Sequence, residues 1–384
     1  MQKKICLFAA NYLPNLGGIE RYVYNLSKQL IAMGHEVCVV TSNVFHLPSY
    51  EVSEEGIEIY RLPCRNVMKG RYPILKRNSE FRKLKKRLEA KGFDLCVINA
   101  RFYIHSVFAA KFAARQGIEC ICIEHGSSHM TVGSKLLDAA GGVYEHFLTR
   151  ILKKYCKRYF GVSRAACEWS AHFGITSEGT LYNAVELDSL LALAADPVCD
   201  YRKELGIPDN ATVITYTGRL VEEKGSLQLA QAFKEAAIPN SHLLIAGDGA
   251  QREEIEKLAK ELPSIKLLGQ IDFPHIVSLL KSSDIFCLPT VYPEGLPTSV
   301  LEAAAMKNFI ISTTFGGAKE LVLDESMGIL LDGNNVDKLA AALKKAAADP
   351  EYRKSAADKC FDLLTERFVW KRTAQELMKL TEEN

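Results

Sequence analysis

The sequence predicts an α/β fold with two doubly wound domains, and three observations support this prediction. Short apolar runs alternate with amphipathic segments, which is typical of parallel strands joined by helices. This alternation occurs as two series, separated by a stretch that contains Pro197 and Pro208. The length of 384 residues corresponds to two or three domains of about 150 residues each.

The first series opens with an apolar strand, Lys4–Ala10, followed by an amphipathic helix, Glu20–Met33. Gly34-His35 supplies the turn into the next strand, and a later helix is expected at Ser106–Gln116. The other predicted strands are Glu36–Ser42, Gly56–Arg61, Leu95–Asn99, Cys120–Glu124, Tyr159–Ser163 and Thr180–Tyr182.

The second series follows Asp188–Asp209, which we expect to be a linker because of its two prolines. Helical segments again separate the strands, and the tail from Asp358 to Asn384 is predicted to be helical. The strands are predicted at Val213–Thr217, His242–Ala246, Ile265–Leu268, Ile285–Leu288 and Phe309–Thr313. In sheets of this type, ligands bind beyond the carboxyl ends of the strands.

Composition excludes a disordered or fibrous chain, because 48% of the residues are hydrophobic and 24% are charged. The net charge of +2 conceals an asymmetry between the halves. Residues 1–180 carry 26 basic and 15 acidic side chains, whereas residues 181–384 carry 22 and 31. We therefore expect the basic first half to meet any anionic partner.

The eleven cysteines are odd in number and scattered, with no CxxC pair and no histidine-rich partner segment. Several, such as Cys6, Cys38 and Cys96, lie in apolar runs, where a reduced thiol acts as a small hydrophobic group. This usage favours a reducing compartment and argues against a disulfide framework or a zinc site. Since no apolar run is long enough for a signal peptide or a membrane span, we expect a cytoplasmic protein.

Gly17 and Gly18 lie at the predicted start of the first helix and are followed by Glu20 and Arg21. Free amides and the helix dipole make such a start suitable for phosphate. The spacing does not match the GxGxxG dinucleotide fingerprint. A plain glycine turn before a helix explains the pattern equally well.

A pair of cations follows the first strand of the second series, because Gly218-Arg219 ends that strand and Lys224 comes shortly after. Arginine offers a planar fork to phosphate oxygens and lysine a mobile point charge. The alternative is that Arg219 and Lys224 are solvated loop charges that bind no ligand. Gly247 and Gly249, after the next strand, form a further turn that allows backbone to approach a ligand.

The segment from Leu288 to Ala303 carries the sharpest pattern. A strand ends, a loop rich in proline and glycine follows, and a helix begins near Thr298. The amides at this helix start are expected to cradle an anion or hydroxyl groups. Glu294 lies in the loop and Glu302 about one turn into the helix. The alternative is that Glu294 caps the helix and that Glu302 is an exposed charge on it.

These motifs together resemble the retaining nucleotide-sugar glycosyltransferases of family 4, which have the GT-B fold. The resemblance rests on Glu294 and Glu302, separated by seven residues, on Gly218-Arg219 with Lys224-Gly225, and on Gly17-Gly18 with Glu20-Arg21. Further matches in the same order are Gly34-His35-Glu36-Val37, Gly161-Val162-Ser163, Tyr182–Asp188, Ala246–Gly249 and Leu268-Gly269.

The resemblance implies two Rossmann-like domains that face each other across a cleft holding the active site. Residues 1–185 would bind the acceptor and residues 186–360 the nucleoside-diphosphate sugar. Residues 361–384 would form a C-terminal helix that returns to the N-terminal domain. Closure of the domains over the donor would exclude water.

Residue roles follow from the same resemblance. Arg219 and Lys224 would bind the donor pyrophosphate and offset the charge on the leaving diphosphate, so that neither a metal nor another cofactor is expected. Glu302 would bind the ribose, and His125 would lie near the transferred sugar, although a structural loop histidine is the alternative. Glu294 with Gly295, Leu296, Pro297 and Thr298 would hold the sugar hydroxyls, and the remaining donor contacts would come from Gly17, Gly18, Gly218, Gly247 and Gly249.

Retention without a well-placed nucleophile implies front-face attack, in which the acceptor hydroxyl approaches on the side from which the diphosphate leaves. The enzyme then supplies positioning and electrostatic stabilisation. Glu294 is interpreted as a sugar-binding carboxylate, and a nucleophilic role for it remains an open alternative.

A strongly basic segment runs from Arg65 to Lys91, and Phe81, Leu84 and Leu88 give it helical periodicity. Such a helix suits an anionic membrane surface or a lipid-diphosphate acceptor. The alternative is a solvated helix packed on its domain by those apolar residues. Nucleic acid is not expected, because no recognised binding module accompanies the charge. The acceptor and membrane contacts predicted for this domain are Glu20, Arg21, Arg82, Lys83, Lys85 and Lys86.

We therefore expect a hexosyl- or N-acetylhexosaminyltransferase that extends a lipid-linked glycan in bacterial cell-envelope or capsular polysaccharide synthesis, at the inner face of the plasma membrane. One rival is a glycosyltransferase with a soluble sugar or small-molecule acceptor. A rival of another class is a catalytically silent protein that binds nucleotides or glycans.

Overall fold

The chain forms two structural units, each built around a largely parallel sheet. The computed structural model describes residues 1–15, 17–68, 70–129, 135–293 and 295–382. Unit 1 comprises Met1–Asn183 and Trp370–Asn384, and unit 2 comprises Ala184–Val369. The α/β class predicted from the alternation of apolar runs and helices is confirmed.

Unit 1 begins with the strand–helix–strand pattern expected from its sequence. Its elements are β1 Lys4–Ala9, α1 Gly18–Ala32, β2 Glu36–Ser42, β3 Tyr50–Val52, β4 Glu58–Leu62, β5 Cys64–Val67, β6 Tyr72–Leu75, α2 Ser79–Glu89, β7 Leu95–Asn99, α3 Ile104–Gln116, β8 Glu119–Glu124, α4 Lys135–Leu152, β9 Arg158–Gly161, α5 Arg164–Ala171 and β10 Gly179–Thr180.

The main sheet of unit 1 has the order β10-β9-β8-β7-β1-β2-β4-β3, and β3 runs antiparallel to β4. From β1 the chain continues to β2 on one side and later adds β7 on the other, so the order reverses between β1 and β7. Ligands bind outside the carboxyl ends of strands at such a switch point. The residues that follow β1, β7 and β8 therefore form the edge where chemistry is expected.

Unit 2 repeats this architecture with a sheet that is parallel throughout its described pairings. Its elements are α6 Leu187–Ala195, α7 Tyr201–Glu204, β11 Thr212–Thr217, a 3-10 turn Glu222–Lys224, α8 Ser226–Ala236, β12 Ser241–Ala246, α9 Arg252–Glu261, β13 Ile265–Gly269, α10 Phe273–Lys281, β14 Ile285–Leu288, α11 Thr298–Ala305, β15 Phe309–Thr313, a 3-10 turn Gly316–Glu320, β16 Gly328–Leu331, α12 Val336–Ala348 and α13 Pro350–Arg367.

The strand order of unit 2 is β13-β12-β11-β14-β15-β16. The chain leaves β11 toward β12 and returns on the other side with β14, so the switch point lies between β11 and β14. The loops after β11, β12 and β14 therefore meet at one edge of this sheet.

The C-terminal helix α14, Trp370–Lys379, belongs to unit 1 and packs against α1. The chain crosses to it after Val369, so the boundary expected at residue 360 falls inside α13. Thr373 fixes the helix by donating from Oγ1 to the Tyr182 carbonyl at 2.9 Å.

The linker expected at Asp188–Asp209 is wrong. This stretch contains α6 and α7, and Tyr201 and Ile207 are buried in a core cluster of unit 2. Pro197 lies between α6 and α7, and Pro208 lies between α7 and β11, so each proline falls between two elements of unit 2. The β5–β6 hairpin and β16 were not among the predicted strands, because these short pieces lack a distinctive pattern.

Candidate active site

The predicted cation pair lies at the carboxyl edge of the unit 2 sheet. Arg219 is exposed directly after β11, and the hydroxyl of Tyr216 donates to the Arg219 carbonyl at 2.8 Å, which fixes this turn. Lys224 ends the following 3-10 turn, and its Nζ lies 5.9 Å from the ring centre of Tyr292. Both cations therefore occupy short, braced loops next to the switch point.

The loop that follows β14 is tied to the turn carrying Lys224. The Glu223 carbonyl accepts hydrogen bonds from the amide of Val291 at 2.8 Å and from Oγ1 of Thr290 at 3.1 Å. Thr290 is fully buried, and its Oγ1 also accepts from the amide of Tyr292. These bonds set the position of the loop relative to the cation pair.

Glycines allow these loops to approach one another through their backbones. A side chain at Gly247 would overlap the carbonyl oxygen of Gly218, and one at Gly225 would overlap that of Pro289. Both glycines also have positive φ, 144° and 73°, which disfavours other residues. Gly249 is packed in the same way against the carbonyl of Leu220. The contacts that the structure gives Gly247 and Gly249 are with protein backbone, and their predicted role in ligand approach stays a prediction.

The start of α11 carries the other predicted donor contacts. Gly295 and Thr298 are partly exposed, whereas Leu296 and Pro297 are buried, and Thr298 is the first helical residue. The Gly295 carbonyl accepts from the amide of Gly317 at 2.5 Å, which connects this loop to the next one. Helix N-termini attract anions and hydroxyl oxygens.

Two carboxylates were predicted in this region, and the structure describes one of them. Glu302 is partly buried on α11, one turn after Thr298. Glu294 lies outside the described residues. Arg219, Lys224, the 295–298 loop and Glu302 therefore share one sheet edge.

His125 lies at the carboxyl edge of the unit 1 sheet, directly after β8. Its Nε2 is 3.0 Å from Oδ1 of Asn99, and the amide nitrogen of Asn99 donates to the Phe8 carbonyl at 3.3 Å. Because the amide group is oriented in this way, His125 donates through Nε2. Desolvation by the surrounding protein lowers the pKa of His125 to about 3, so the imidazole is neutral at physiological pH.

The ring of His125 packs edge-on against Tyr22 of α1, with 4.8 Å between ring centres. Tyr22 in turn packs edge-on against Trp370 at 5.0 Å and donates from its hydroxyl to the Leu181 carbonyl at 2.9 Å. The returning helix α14 therefore supports the histidine through an aromatic stack.

Buried charges that the sequence analysis did not identify hold the loop of His125. The Glu124 carboxylate accepts from the backbone amides of His125 and Gly126 and lies 2.8 Å from Nε of Arg101. Arg101 also pairs with Glu145 of α4 at 3.3 Å and covers the Phe173 ring. Burial raises the pKa of Glu124, and the guanidinium opposes this shift. Asn99 and Glu124, each a polar residue that ends an apolar strand, indicate a polar sheet edge in the sequence, although no spacing indicates that Arg101 and Glu145 join it.

Of the two predicted glycines, Gly17 precedes α1 and lies against a carboxylate of that helix, whereas Gly18 is its first residue and a Cβ there would meet no atom within 4 Å. Gly17 is the N-cap residue, and a side chain there would overlap the Glu20 carboxylate. Glu20 is buried and accepts from the side-chain amide of Asn15 at 2.7 Å, whereas Arg21 is exposed. Of these two predicted acceptor contacts, Arg21 is therefore the one whose side chain reaches solvent.

The basic helix predicted between Arg65 and Lys91 is α2, and its apolar face is not available to a membrane. Phe81, Leu84 and Leu88 are buried in the core of unit 1, and Phe81 packs edge-on against Phe108 at 5.2 Å. The opposite face exposes the predicted cations Arg82, Lys83 and Lys86, with Lys85 partly exposed. Within the described ranges, no helix combines the length and apolar character needed to cross a bilayer.

Two family models of known proteins match the chain. Residues 16–189 match the family model of glycosyltransferase family 4, and residues 199–360 match that of glycosyl transferases group 1. The chain is 23% identical to an uncharacterised glycosyltransferase of Methanocaldococcus jannaschii, over 99% of this chain and 98% of that protein. It is 25% identical to the phosphatidyl-myo-inositol mannosyltransferase of Mycolicibacterium smegmatis, over 95% and 90%.

The structure of Anabaena HepE in complex with UDP superimposes over the full length of both chains, with a TM-score of 0.75 at 15% identity. This likeness establishes the GT-B fold. Together the two family models match most of the chain, one in each unit. The chain therefore belongs to the family 4 glycosyltransferases, with a family 4 domain followed by a group 1 domain.

Proposed function

We propose that the chain transfers a hexosyl or N-acetylhexosaminyl residue from a nucleoside-diphosphate sugar to a lipid-linked glycan acceptor, in cell-envelope or capsular polysaccharide synthesis. The observation that carries this proposal is the braced cation pair, Arg219 and Lys224, beside the start of α11. A diphosphate is the ligand that such a pair suits best. The UDP bound to HepE and the phosphatidyl-myo-inositol in the name of the Mycolicibacterium smegmatis relative support the same assignment.

In the proposed reaction the acceptor oxygen forms a bond to the anomeric carbon on the face from which the diphosphate leaves. The bond from the anomeric carbon to the phosphate oxygen breaks, and the leaving phosphate takes the acceptor proton. Arg219 and Lys224 offset the charge that develops on the diphosphate, so no metal is required. Glu302 binds the ribose hydroxyls, and Glu294 with the 295–298 loop holds the sugar.

His125 is assigned to holding the transferred sugar. Its Nε2 proton is engaged by Asn99, and its low pKa keeps the ring neutral. The imidazole therefore contributes an accepting Nδ1 and a fixed surface, and not a titrating acid.

The cation pair is tested by turnover of a donor selected from a panel of UDP-, GDP- and ADP-sugars by thermal shift. We expect Arg219→Ala to lower the turnover number by about 10²–10³-fold, as for loss of one donor to a developing oxyanion. Arg367→Ala, at an exposed arginine of the same unit paired with its neighbour Glu366, is the matched control. Unchanged turnover in Arg219→Ala would overturn the role given to the cation pair, whereas absence of turnover in the unmodified chain would indicate a catalytically silent binding protein.

The stereochemistry is tested by NMR of the product anomer, which we expect to match that of the donor. An inverted product would overturn the front-face mechanism. Added Mg²⁺ or Mn²⁺ should leave the rate unchanged, whereas a rate that depends on either ion would contradict the role given to the cation pair.

Association with an anionic membrane at the cytoplasmic face is the second part of the proposal. Because the apolar face of α2 is buried, its cations are expected to act by electrostatic attraction alone. A groove between α2 and α3 extends the basic surface, and α4, which packs against α3, exposes Val143 and Phe147. The groove is lined by Arg77, Phe81, Lys85, Ile104, Val107, Phe108, Lys111, Phe112 and Arg115.

Sedimentation with phosphatidylglycerol vesicles tests this surface. We expect Lys83→Glu, Lys85→Glu and Lys86→Glu together to abolish binding, since each cation near an anionic surface contributes about 1 kcal/mol. In the control, three exposed lysines of unit 2 are replaced with glutamate, namely Lys344, Lys345 and Lys354. Absence of binding by the unmodified chain would favour a soluble acceptor.

A further inference from the structure

Three histidines converge in unit 1. His129 follows β8, His146 lies on α4, and His172 is the C-cap residue of α5. One nitrogen from each ring lies within 4.8 Å of the other two, and Nε2 of His146 is 3.2 Å from Nε2 of His172. The edge of a tetrahedron with metal–nitrogen bonds of about 2.0–2.1 Å is about 3.3 Å, so this pair is already at ligand spacing.

A buried carboxylate orients one of these rings. Nδ1 of His129 lies 3.1 Å from Oε2 of Glu145, which is buried and precedes His146 on α4. An ionised carboxylate only accepts, so Nδ1 carries the proton and Nε2 of His129 presents its lone pair. A histidine ligand backed by a carboxylate is the usual arrangement around a protein-bound metal.

Aromatic packing fixes the other two rings. Trp169 stacks on His172 with 4.8 Å between ring centres and an interplanar angle of 6°. Phe173 packs against His146 at 4.6 Å and against His172 at 4.9 Å. His146 and His172 are exposed, so the cluster has an entry path from solvent.

We propose that His129, His146 and His172 bind one divalent transition-metal ion, with Zn²⁺ as the best fit and the fourth position open to water. Imidazole nitrogens suit zinc and its neighbours, whereas Mg²⁺ and Ca²⁺ prefer oxygen ligands. Three protein ligands with one open position are typical of accessible zinc sites. Its ligands do not include Arg219 or Lys224, the unit 2 residues that would hold the donor diphosphate.

The metal would also brace the loop that carries His125. His129 and His125 lie on the same loop after β8, and Glu145 connects His129 to Arg101 and through it to Glu124. Binding of an ion to His129 therefore stabilises unit 1 by mass action and raises its melting temperature.

The test uses the full chain without a polyhistidine tag, freed of metal by a chelating resin. We expect calorimetric titration with Zn²⁺ to show one saturable equivalent, and Co²⁺ to give the visible absorption of a tetrahedral site together with quenching of Trp169 fluorescence. His146→Gln and His172→Gln should each abolish the binding of one equivalent of Zn²⁺ and the quenching of Trp169 fluorescence by Co²⁺. His275→Gln, at an exposed histidine on α10 of unit 2, should retain both.

Glu145→Gln should weaken Zn²⁺ binding by about 10–100-fold if the carboxylate orients His129. Circular dichroism verifies that each variant is folded. Failure of the unmodified chain to bind one equivalent, or an equivalent that survives in both His146→Gln and His172→Gln, would overturn the proposal. A cluster that responds to pH alone, without saturable Zn²⁺ binding, would overturn it as well.

Discussion

The two units place their site residues at equivalent edges of similar sheets, yet they hold those edges in different ways. In unit 2 the loops are fixed by backbone contacts, through Gly225 against Pro289 and Gly247 against Gly218. In unit 1 they are fixed by buried polar side chains, among them Arg101, Glu124 and Asn99. The edge of unit 2 thus owes its form to the backbone, whereas the edge of unit 1 depends on buried side chains, which also position His125.

The largest effect expected on stability comes from the charge network of unit 1. Arg101→Met would leave the carboxylates of Glu124 and Glu145 buried without their cation, and we expect a loss of about 3–5 kcal/mol in the free energy of unfolding. Urea unfolding followed by tryptophan fluorescence measures this, because both tryptophans, Trp169 and Trp370, lie in unit 1.

Arg158 provides a matched control, since it also pairs with two carboxylates, Glu119 at 2.5 Å and Glu178 at 2.8 Å. Its side chain is 23% exposed, against 2% for Arg101. Water compensates exposed charges, so Arg158→Met should cost about 1 kcal/mol or less. Equal losses in the two variants would show that burial does not set the strength of the network.

The backbone contacts of unit 2 are tested by Gly247→Ala. The added Cβ would overlap the Gly218 carbonyl at a positive φ, and we expect a loss of about 2–3 kcal/mol. Thiol labelling of Cys287 and Cys360, which are buried in unit 2, measures opening of this unit.

Gly333→Ala is the control, because a Cβ there meets no atom within 4 Å. Its effect should stay within about 0.5 kcal/mol. If Gly247→Ala were equally mild, the close packing of the loops after β11 and β12 would not be what fixes the cation pair.

This difference explains which parts of the molecule could be predicted from sequence. Backbone approach demands glycine at particular positions, so the edge of unit 2 is visible as Gly218-Arg219, Lys224-Gly225 and Gly295–Thr298. The network of unit 1 joins Arg101, Glu124 and Glu145 from separate elements, and no spacing along the chain indicates that they meet. The strands were predictable for a similar reason, since periodicity is local.

The elements that sequence reasoning missed depend on tertiary packing. Asp188–Asp209 has the composition of a linker, yet Leu190, Tyr201 and Ile207 give it an apolar face that unit 2 buries. For the basic helix α2, the sequence left open whether it meets a membrane or packs on its domain through Phe81, Leu84 and Leu88, and the structure shows these three residues in the core. The three histidines of the proposed metal site likewise come from different elements, with no ligand motif between them.

The smallest effect expected is a dependence of stability on pH, which arises from a buried histidine of unit 1. His105 is fully buried, donates from Nε2 to the Val40 carbonyl at 3.0 Å, and faces the Ser42 hydroxyl through Nδ1 at 3.3 Å. Burial lowers the pKa of His105 to about 4, whereas the unfolded chain has the ordinary value of about 6.5. Below pH 6.5 the unfolded state therefore binds more protons, and stability that is complete above this pH falls as the pH approaches 4.

Because of His105, the free energy of unfolding of unit 1 should be about 2 kcal/mol lower at pH 5 than at pH 7. The raised pKa of Glu124 acts in the opposite direction, because its stabilising proton is lost as pH rises, so wild type alone cannot isolate His105. The gap in free energy of unfolding between wild type and His105→Gln does not contain the contribution of Glu124, since Glu124 is present in both proteins and its effect cancels. We expect tryptophan fluorescence to show that the gap narrows by about 2 kcal/mol between pH 7 and pH 5. A constant gap would mean that His105 takes up its proton without unfolding, and that the polar interior of unit 1 tolerates a charge which its hydrogen bonds otherwise exclude.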